Sequence, residues 1–364
     1  MTKIWIGYVS CGLGHKKAAS ALAEVFGKKE RYVFNLLDFG FFKAFYEEGY
    51  RILVGRFPLL WRLIYKIYFL NFFKKTLLSI HLFIFKGFIK EIIKANPPIL
   101  ISTHFFLSQL VSYLKAKKEI STKLITVVTD YGVHPLWLNI FTDYYVVSTS
   151  QQKALLFKKS GVSQDRIKTW GIPLRREFLE RQNLDLLEAK YKKPKDIFCI
   201  LLFCSSFGLG PLKEIIERFY KRCGIFVIYG KRKKIKNLLV DILGKSLYLL
   251  GFEYKEEIWE LMELSDVIVT KPGGLSVSEA IAKRKPLLFM HSFYGQEKEN
   301  LKYVLKNNLG FYPGSKDKLI NTIDSFIRDR SSLLKIKENL RKIEFPDSAL
   351  RIKELVKTLL GNDS

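Results

Sequence analysis

With 364 residues, of which 48% are hydrophobic, the chain is too long for one typical domain and too apolar to be disordered, so two or three folded domains are expected. Its formal charge of +26 indicates an acidic partner, namely nucleic acid, anionic lipid or a phosphorylated substrate, unless the lysines are simply solvated. Four cysteines without CxxC spacing argue against a zinc site or a disulfide framework and are interpreted as small buried hydrophobes: Cys11, Cys199, Cys204 and Cys223.

Eight short apolar runs alternate with helical stretches along the chain. They are rich in Ile, Val, Leu and aromatic residues and do not alternate in polarity, which is typical of parallel strands covered by helices on both faces. The runs are residues 4–9, 99–102, 124–129, 144–148, 197–203, 225–229, 267–270 and 287–290. This order predicts an α/β fold with doubly wound parallel sheets.

The beginning of the chain reads as a first strand. Residues 4–9 run directly into glycines and lack the charged and apolar regions of a signal peptide. The longest uncharged candidate for a membrane span, residues 76–85, has only ten residues, whereas a spanning helix needs roughly 18. We therefore expect a protein of the cytoplasm.

A glycine turn follows the first strand, with Gly12, Gly14 and His15 ahead of a helix-forming sequence. Glycines at a strand-to-helix turn let a ligand approach the backbone, and the helix amino terminus favours negative charge. A histidine at this place can act as a general base facing a crevice at the carboxyl edge of the sheet. The alternative is a structural histidine in a common type of turn.

Residues 39–88 depart from the α/β pattern. They contain sixteen Phe, Tyr and Trp residues, with lysines and arginines among them and few acids. Aromatic and aliphatic side chains beside basic ones suit the headgroup boundary of an anionic bilayer, although a pair of core helices with a basic outer face is the alternative. The residues predicted to contact the membrane include Trp61, Phe72, Phe73, Lys74 and Lys75.

A second polar motif follows the run at residues 124–129. Asp130, His134 and Trp137 are close together in a predicted loop at the carboxyl end of a strand. A carboxylate, an imidazole and an indole could orient a hydroxyl acceptor and hold its apolar part. The alternative is a turn with an aspartate cap and a buried tryptophan.

A domain boundary is predicted in the charged stretch at residues 174–195, which ends just before a new strand. The predicted divisions are a first domain at 1–175, a linker at 176–195, a second domain at 196–345 and a last helix at 346–364. This helix is expected to pack back on the first domain.

Residues 265–300 carry the most specific motif. A strand leads into Lys271, Pro272, Gly273 and Gly274, and a helix is predicted from Ser276. The amides at its amino terminus can bind a diphosphate, and Glu279 is placed to bind paired ribose hydroxyls. Polar side chains after the next strand are predicted to bind sugar hydroxyls: Gln296, Glu297 and Asn300. No Asp-x-Asp triplet occurs, so helix amides and basic groups are expected to stabilise the diphosphate without a metal ion.

Five segments together resemble one known family. SCGLGHKKAASAL is similar to its glycine-rich acceptor loop, TDYGVHPLW to its Asp-x-x-x-His-x-x-Trp pattern, and TWGIPLRREF to its domain-closing segment. TKPGGLSVSEA and GQEKEN are similar to its donor-sugar segments. The family comprises bacterial processive diacylglycerol glucosyltransferases and monogalactosyldiacylglycerol synthases, and the resemblance covers nearly the whole chain.

The resemblance implies a GT-B fold, in which two Rossmann-like domains face an interdomain crevice. It further implies an inverting glycosyltransferase that moves a hexose from UDP-glucose or UDP-galactose to the free hydroxyl of diacylglycerol at an anionic membrane surface. The first domain would bind the acceptor and the membrane, and the second would bind the UDP-sugar. Neither a cofactor, a metal ion nor nucleic acid is expected as a partner.

The resemblance also suggests roles for individual residues. His15 matches the proposed base, with Asp130 as the next candidate, and Glu279 matches the ribose ligand. The acceptor would be bound near Gly14, His134 and Trp137. The backbone of Phe252 matches the position that meets uracil. Donor contacts are also expected at Gly208 and Gly210, although serines at 205 and 206 replace glycines in that loop.

Several other functions are compatible with parts of the sequence. A glycosyltransferase with a polyprenyl-diphosphate-linked acceptor is the nearest alternative. A nucleotide-sugar 2-epimerase has the same fold but needs no membrane segment, and a noncatalytic lipid-binding relative would not need His15 or Glu279. Charge alone would permit nucleic-acid binding, but the sequence contains no motif that reads bases.

Overall fold

The computed structural model describes residues 4–10, 12–40, 43–67, 71–203, 211–290 and 295–361. The first half of the chain forms a six-stranded parallel sheet with the order β2-β1-β3-β4-β5-β6. Its strands are β1 Ile4–Tyr8, β2 Arg31–Asn35, β3 Ile99–Ser102, β4 Lys123–Val127, β5 Tyr144–Val147 and β6 Ile167–Thr169.

The second half forms another six-stranded parallel sheet, with the order β12-β11-β10-β7-β8-β9. Its strands are β7 Cys199–Phe203, β8 Gly224–Ile228, β9 Tyr248–Phe252, β10 Val267–Thr270, β11 Leu287–Phe289 and β12 Gly310–Phe311. Two parallel sheets, each with helices on its faces, confirm the predicted fold class.

All eight predicted runs lie on strands, and the four strands that the runs did not predict are the edge strands of the two sheets: β2, β6, β9 and β12. An edge strand has a neighbour on one side only and needs less apolar cover than a central strand. In β2, for example, Tyr32 and Val33 are exposed. The runs therefore predicted the centres of both sheets and not their margins.

Helices connect the strands. Before β7 they are α1 Leu13–Val25, α2 Lys43–Arg56, α3 Pro58–Ile67, α4 Asn71–Ile84, α5 Lys86–Ala95, α6 Phe105–Ala116, α7 Ser150–Ser160, α8 Arg176–Leu179 and α9 Leu184–Tyr191. In the second half they are α10 Leu212–Phe219, α11 Lys233–Ile242, α12 Ile258–Leu264, α13 Gly274–Ala282, α14 Gln296–Lys306, α15 Lys316–Arg328, α16 Ser331–Arg341 and α17 Ser348–Gly361. Among the described residues, no helix is long and apolar enough to cross a membrane.

Each sheet is buried on both faces because successive side chains of a strand point to opposite sides. In β7, Leu201 packs into one core with α12 and α13, whereas Ile200 and Leu202 pack into another with α10 and α15. In β1, Trp5 and Ile6 likewise enter separate cores. Such two-sided burial explains why the central strands carry apolar residues on both faces.

The last helix and a set of ion pairs connect the second half of the chain to the first. Ile352 and Val356 of α17 share a core with Leu22 of α1. Near the crossing between the halves, Arg175 makes ion pairs with Glu24 at 3.1 Å and with Glu256 at 3.2 Å. The last helix and the Arg175 ion pairs therefore join the two halves on the side of α1.

Candidate functional site

The carboxyl ends of the two sheets face each other across a narrow crevice. A Cβ atom placed on Gly274, which begins α13, would lie 2.2 Å from the carbonyl oxygen of Thr129. A Cβ on Gly132 would lie 2.6 Å from the Cβ of Glu299. A larger residue at 274 would force the loops after β4 and β10 apart, and one at 132 would force the loop after β4 away from α14. These glycines therefore allow the two halves to touch.

His15 lies in the first turn of α1 and is half-buried at this crevice. Its Nδ1 atom is 2.8 Å from the carbonyl oxygen of Thr103 and 2.9 Å from Oγ1 of Thr129. A carbonyl can only accept a hydrogen bond, so Nδ1 carries the proton. In the neutral ring, Nε2 then holds a free electron pair, as a general base requires.

The charge state of His15 fits the same role. Burial lowers the pKa of His15 to about 4, and the hydrogen bond to the Thr103 carbonyl opposes this only in part. The ring of His104 lies 4.5 Å from that of His15, and its pKa is also lowered well below the usual value, chiefly by burial. Both imidazoles are therefore neutral at physiological pH.

Asp130 follows Thr129 directly and is buried in the same crevice. Burial raises the pKa of Asp130 to about 6, and a hydrogen bond from Asn300 partly offsets the rise. Nδ2 of Asn300 donates to Asp130 Oδ1 at 3.1 Å. The carboxylate is thus bonded to the second half of the chain.

Helix α13 presents its amino terminus to the crevice, as predicted for a diphosphate site. Pro272 and Gly273 precede it, and Ser276 is half-buried in its first turn. Glu279 is buried, which raises its pKa, and Lys17 of α1 lies 3.8 Å from its carboxylate across the crevice. A carboxylate and an ammonium thus face each other where the halves meet.

The amino terminus of α14 adds further polar groups. Gln296 and Glu297 are half-exposed in its first turn. Glu297 accepts a hydrogen bond at 2.6 Å from Lys271, which follows β10. The two motifs that the sequence placed after neighbouring strands are therefore in contact at one edge of the sheet.

The remaining residues predicted to contact the acceptor or the donor lie in different parts of the fold. Gly14 packs against α13, because a Cβ placed on it would lie 3.7 Å from that of Leu275. Phe252 ends β9 and is half-buried. Gly208 and Gly210 lie outside the described residues.

Asn300 differs from its predicted role as a sugar contact. Its side chain is fully buried, accepts a hydrogen bond from the backbone amide of Tyr131 at 2.7 Å, and donates to Pro272 and to Asp130. The amide therefore joins the two halves in this structure, and its polar atoms are taken up by protein partners.

The prediction that His134 and Trp137 contact an acceptor is wrong in this structure. Trp137 is completely buried and packs edge-on against Phe105, with ring centroids 5.5 Å apart. His134 is also buried and accepts a hydrogen bond from the amide of Leu136. The loop after Asp130 turns back onto α6, so both rings enter the core instead of the crevice.

Helices α2 to α4 combine buried and exposed apolar side chains. His81 of α4 is buried among aromatic rings, and its ring centroid lies 4.1 Å from that of Phe106. On the outside, Leu59 is 69% exposed and Phe83 is 64% exposed. Further exposed apolar side chains on these helices or between them are Ile52, Phe57, Leu60, Leu63 and Ile80. One surface of these helices therefore packs against the protein, and the opposite surface presents apolar side chains to solvent.

The residues predicted to meet a membrane are not equivalent. Lys75 is exposed. Lys74 is bonded inside the protein, where Nζ donates to the carbonyl oxygens of Pro135 and Leu138, so its assignment to the membrane is wrong here. Trp61, Phe72 and Phe73 belong to α3 and α4, but their side chains lie outside the described residues.

Sequence reasoning missed the contacts of Tyr131. Its ring stacks on Tyr303 with centroids 4.2 Å apart, and its hydroxyl lies 3.0 Å from Oγ of Ser278. The position of Tyr131, directly after Asp130, was the available signal. It was missed because its partners lie in the other half of the chain.

Two family models match the chain. The model described as monogalactosyldiacylglycerol (MGDG) synthase matches residues 15–174, and the one described as glycosyl transferases group 1 matches residues 216–343. A processive diacylglycerol beta-glucosyltransferase of Bacillus cereus is 30% identical over 265 residues, which are 72% of this chain and 68% of the relative. A protein of the same name from Bacillus mycoides shows the same values.

Solved structures with low sequence identity share the fold. MurG of Acinetobacter baumannii has a TM-score of 0.62 at 10% identity, covering 98% of this chain and 100% of the other. A UDP-GlcNAc 2-epimerase of Neisseria meningitidis has a TM-score of 0.55 at 13% identity, covering 99% and 100%. These likenesses show the GT-B fold, and the sequence matches show more: the chain belongs to the diacylglycerol glycosyltransferase family.

Proposed function

We propose that this protein transfers a hexose from a UDP-sugar to the free hydroxyl of diacylglycerol, with inversion at the anomeric carbon and at a membrane surface. The names of its relatives support the donor and acceptor classes. The observation that carries the proposal is the position of His15. Its unprotonated Nε2 belongs to a helix that packs, through Gly14, against the first turn of α13, where a nucleotide diphosphate would bind.

The geometry supports a direct displacement. Nε2 of His15 takes the proton of the acceptor hydroxyl as its oxygen forms a bond to the anomeric carbon. The bond from that carbon to the UDP oxygen breaks, and the electron pair leaves with UDP. The amides at the amino terminus of α13, together with Lys271, stabilise the charge that develops on the diphosphate. Glu279 binds the ribose hydroxyls, and Gln296 and Glu297 bind the hexose.

A product assay tests the proposal. The full-length protein is incubated with UDP-glucose, UDP-galactose and diacylglycerol vesicles, and the lipids are analysed by mass spectrometry. A hexosyl diacylglycerol formed from either donor is expected. Product formed only with a polyprenyl-diphosphate-linked acceptor, or epimerised nucleotide sugar formed without acceptor, would replace the proposal by its alternatives.

We also propose that no metal ion is needed, so the rate with EDTA should equal that with magnesium.

Glu279 provides a prediction for the donor. Glu279→Gln keeps the volume of the side chain but removes the charge that would accept from the ribose hydroxyls. A hydrogen bond to a charged group contributes about 1.5–3 kcal/mol, so the Kd for UDP should rise about 10- to 140-fold. Isothermal titration calorimetry measures this change. The matched control is Glu338→Gln, at an exposed glutamate of α16, which should leave the Kd unchanged.

The outer surface of α2 to α4 is the part of the described chain that we propose for membrane contact. Exposed leucines and phenylalanines there are accompanied by the exposed cations Lys75 and Lys86, and the Lys86 ammonium lies 4.5 Å from the ring centre of Phe83. Apolar groups that insert shallowly, with cations beside them, suit an anionic bilayer. Diacylglycerol is insoluble in water, so the acceptor must be met at such a surface.

A further inference from the structure

A cavity of about 330 Å³ lies in the second half of the molecule, away from the crevice. It is enclosed by residues 179–184, by the end of α12, by residues 282–285 and by α16. Helix α13 starts at the crevice with Gly274 and ends at Ala282. Nine residues of helix span about 13 Å, so the cavity lies at the opposite, amino-terminal edge of the sheet.

The lining of this cavity is strongly basic. Its acidic residues, Glu180 and Glu263, already have cationic partners, since Glu180 pairs with Arg176 at 2.6 Å and Glu263 with Lys283 at 3.1 Å. The basic residues outnumber them by four: Arg181, Lys283, Arg284, Lys285, Lys337 and Arg341. A concave surface with this surplus attracts anions more strongly than a flat surface with the same charge.

Lys285 lines the cavity and is half-buried. Its ammonium donates to the carbonyl oxygen of Glu263 at 2.7 Å, and burial lowers its pKa to about 8. An ammonium has three protons, and this carbonyl takes one of them. The carboxylates of Glu263 and Asp266 favour the charged form of Lys285, whereas the neighbouring cations Lys283 and Lys337 oppose it. An anion beside the ammonium would add to this partial compensation.

Arg284 stands at the rim in an unusual backbone conformation. It is the second residue after α13 and has a φ of 54°, in the left-handed region. Glycine is the usual residue at this position of a helix end, because a Cβ atom disfavours left-handed backbone. A cation at the carboxyl end of a helix is favoured by the helix dipole, and here it also places a guanidinium beside the cavity.

We propose that this basic cavity is a second binding site, separate from the catalytic crevice, for a small soluble anion with two or more phosphoryl groups. Exposed Arg284 and Arg341 bind the phosphoryl oxygens at the rim, because arginine matches their geometry in a bidentate manner. Half-buried Lys285 adds a third cation to the lining. The inference does not depend on the reaction proposed above.

The test uses sodium pyrophosphate as the probe and calorimetry on the full-length protein, with saturating UDP present to occupy the crevice. The double variant Arg284→Gly and Arg341→Gln should raise the Kd at least about tenfold, since two charge-assisted contacts are lost. Its fold should be retained, because glycine suits the left-handed backbone at position 284. A thermal melt without pyrophosphate checks this point.

The first half of the chain offers a matched control. Lys118 is exposed and also has a left-handed backbone, with a φ of 59°. The double variant Lys117→Gln and Lys118→Gly removes the same charge far from the cavity and should bind pyrophosphate as the parent does. An equal loss in both double variants would show only a general effect of charge and would overturn the site.

A second arm separates a soluble ligand from a lipid headgroup. Flotation with vesicles of phosphatidic acid should be the same for the parent and for the Arg284→Gly and Arg341→Gln variant. A loss of vesicle binding together with unchanged pyrophosphate affinity would overturn the proposal in favour of a lipid phosphate. Unchanged affinity in both assays would show that the cavity binds neither.

Discussion

Replacement of His15 by alanine is expected to lower kcat about 10²–10⁴-fold, which is the usual contribution of a positioned general base. The acceptor hydroxyl must lose its proton as it attacks, and Nε2 of His15 is the unprotonated nitrogen that the contact to the Thr103 carbonyl leaves available. The Kd for UDP should change little, because His15 belongs to the acceptor half. Initial rates at saturating donor, together with calorimetry of UDP binding, measure the two effects.

Two further variants sharpen this experiment. Thr129→Val keeps the shape of the side chain but removes one contact of the His15 ring, so a smaller loss of about 2- to 10-fold in kcat is expected. Lys16→Ala, at an exposed neighbour on α1, is the control and should keep the parental rate. A His15→Ala enzyme within a few-fold of the parent would move the catalytic role to Asp130.

The pH dependence follows from the same environment. Neutral imidazole is the active form, and burial lowers its pKa to about 4, so protonation should stop the reaction only far below the usual value of about 6.5. We expect kcat/KM to remain level as the pH falls from 7 to about 5.5 in the Asp130→Asn variant. That variant removes the Asp130 carboxyl, which has a raised pKa of about 6 and would otherwise titrate in this range. A decline near pH 6.5 in the variant would show an unperturbed histidine.

Membrane binding should be lost when the exposed apolar side chains of α3 and α4 are replaced. We expect the variant with Leu59, Leu60, Leu63 and Phe83 all changed to serine to bind vesicles about 100-fold more weakly. Full burial of one such side chain contributes about 1.5–3 kcal/mol, so even shallow insertion of four of them should sum to about 3 kcal/mol. Co-sedimentation with vesicles of increasing lipid concentration gives the partition constant.

The control for this variant removes as much exposed apolar surface elsewhere. Leu186 and Val240 are 68% and 67% exposed, and Leu243 and Leu334 are each 58% exposed. Changing these four residues to serine should leave vesicle binding as it is. Equal weakening in both variants would mean that α3 and α4 have no special part in binding.

The electrostatic part of membrane binding can be separated by salt. Exposed cations such as Lys75 and Lys86 should contribute about 1 kcal/mol each near an anionic surface, and this term is screened within about 10 Å at 0.1 M salt. Binding should therefore be stronger to anionic than to neutral vesicles and should weaken in high salt. Equal binding to both would contradict the electrostatic part. No binding to either would contradict the membrane proposal and leave the transfer reaction to its own assay.

The sequence by itself determined the central strands, the order of elements and the strand ends that meet at the crevice. A central parallel strand is buried on both faces, so its apolar run is visible without knowledge of its neighbours. The carboxyl ends of such strands share one edge, which is why His15, Glu279 and Gln296 could be assigned to the crevice before the sheets were known. The edge strands were not predicted because a strand with a neighbour on one side only needs fewer apolar residues.

Only the tertiary structure decided which polar residues face the crevice and which face the protein. Asn300 belongs to the other half of the chain and bonds to Tyr131 and Asp130, and Lys74 bonds to carbonyls of the loop after Asp130. In the sequence both look like side chains free to meet a ligand or a membrane. A hydrogen bond depends on where its partner lies in space, and these partners are 61 to 170 positions apart along the chain. The local sequence pattern predicts burial and periodicity, whereas the pairing of polar groups is fixed only when distant parts of the chain come together.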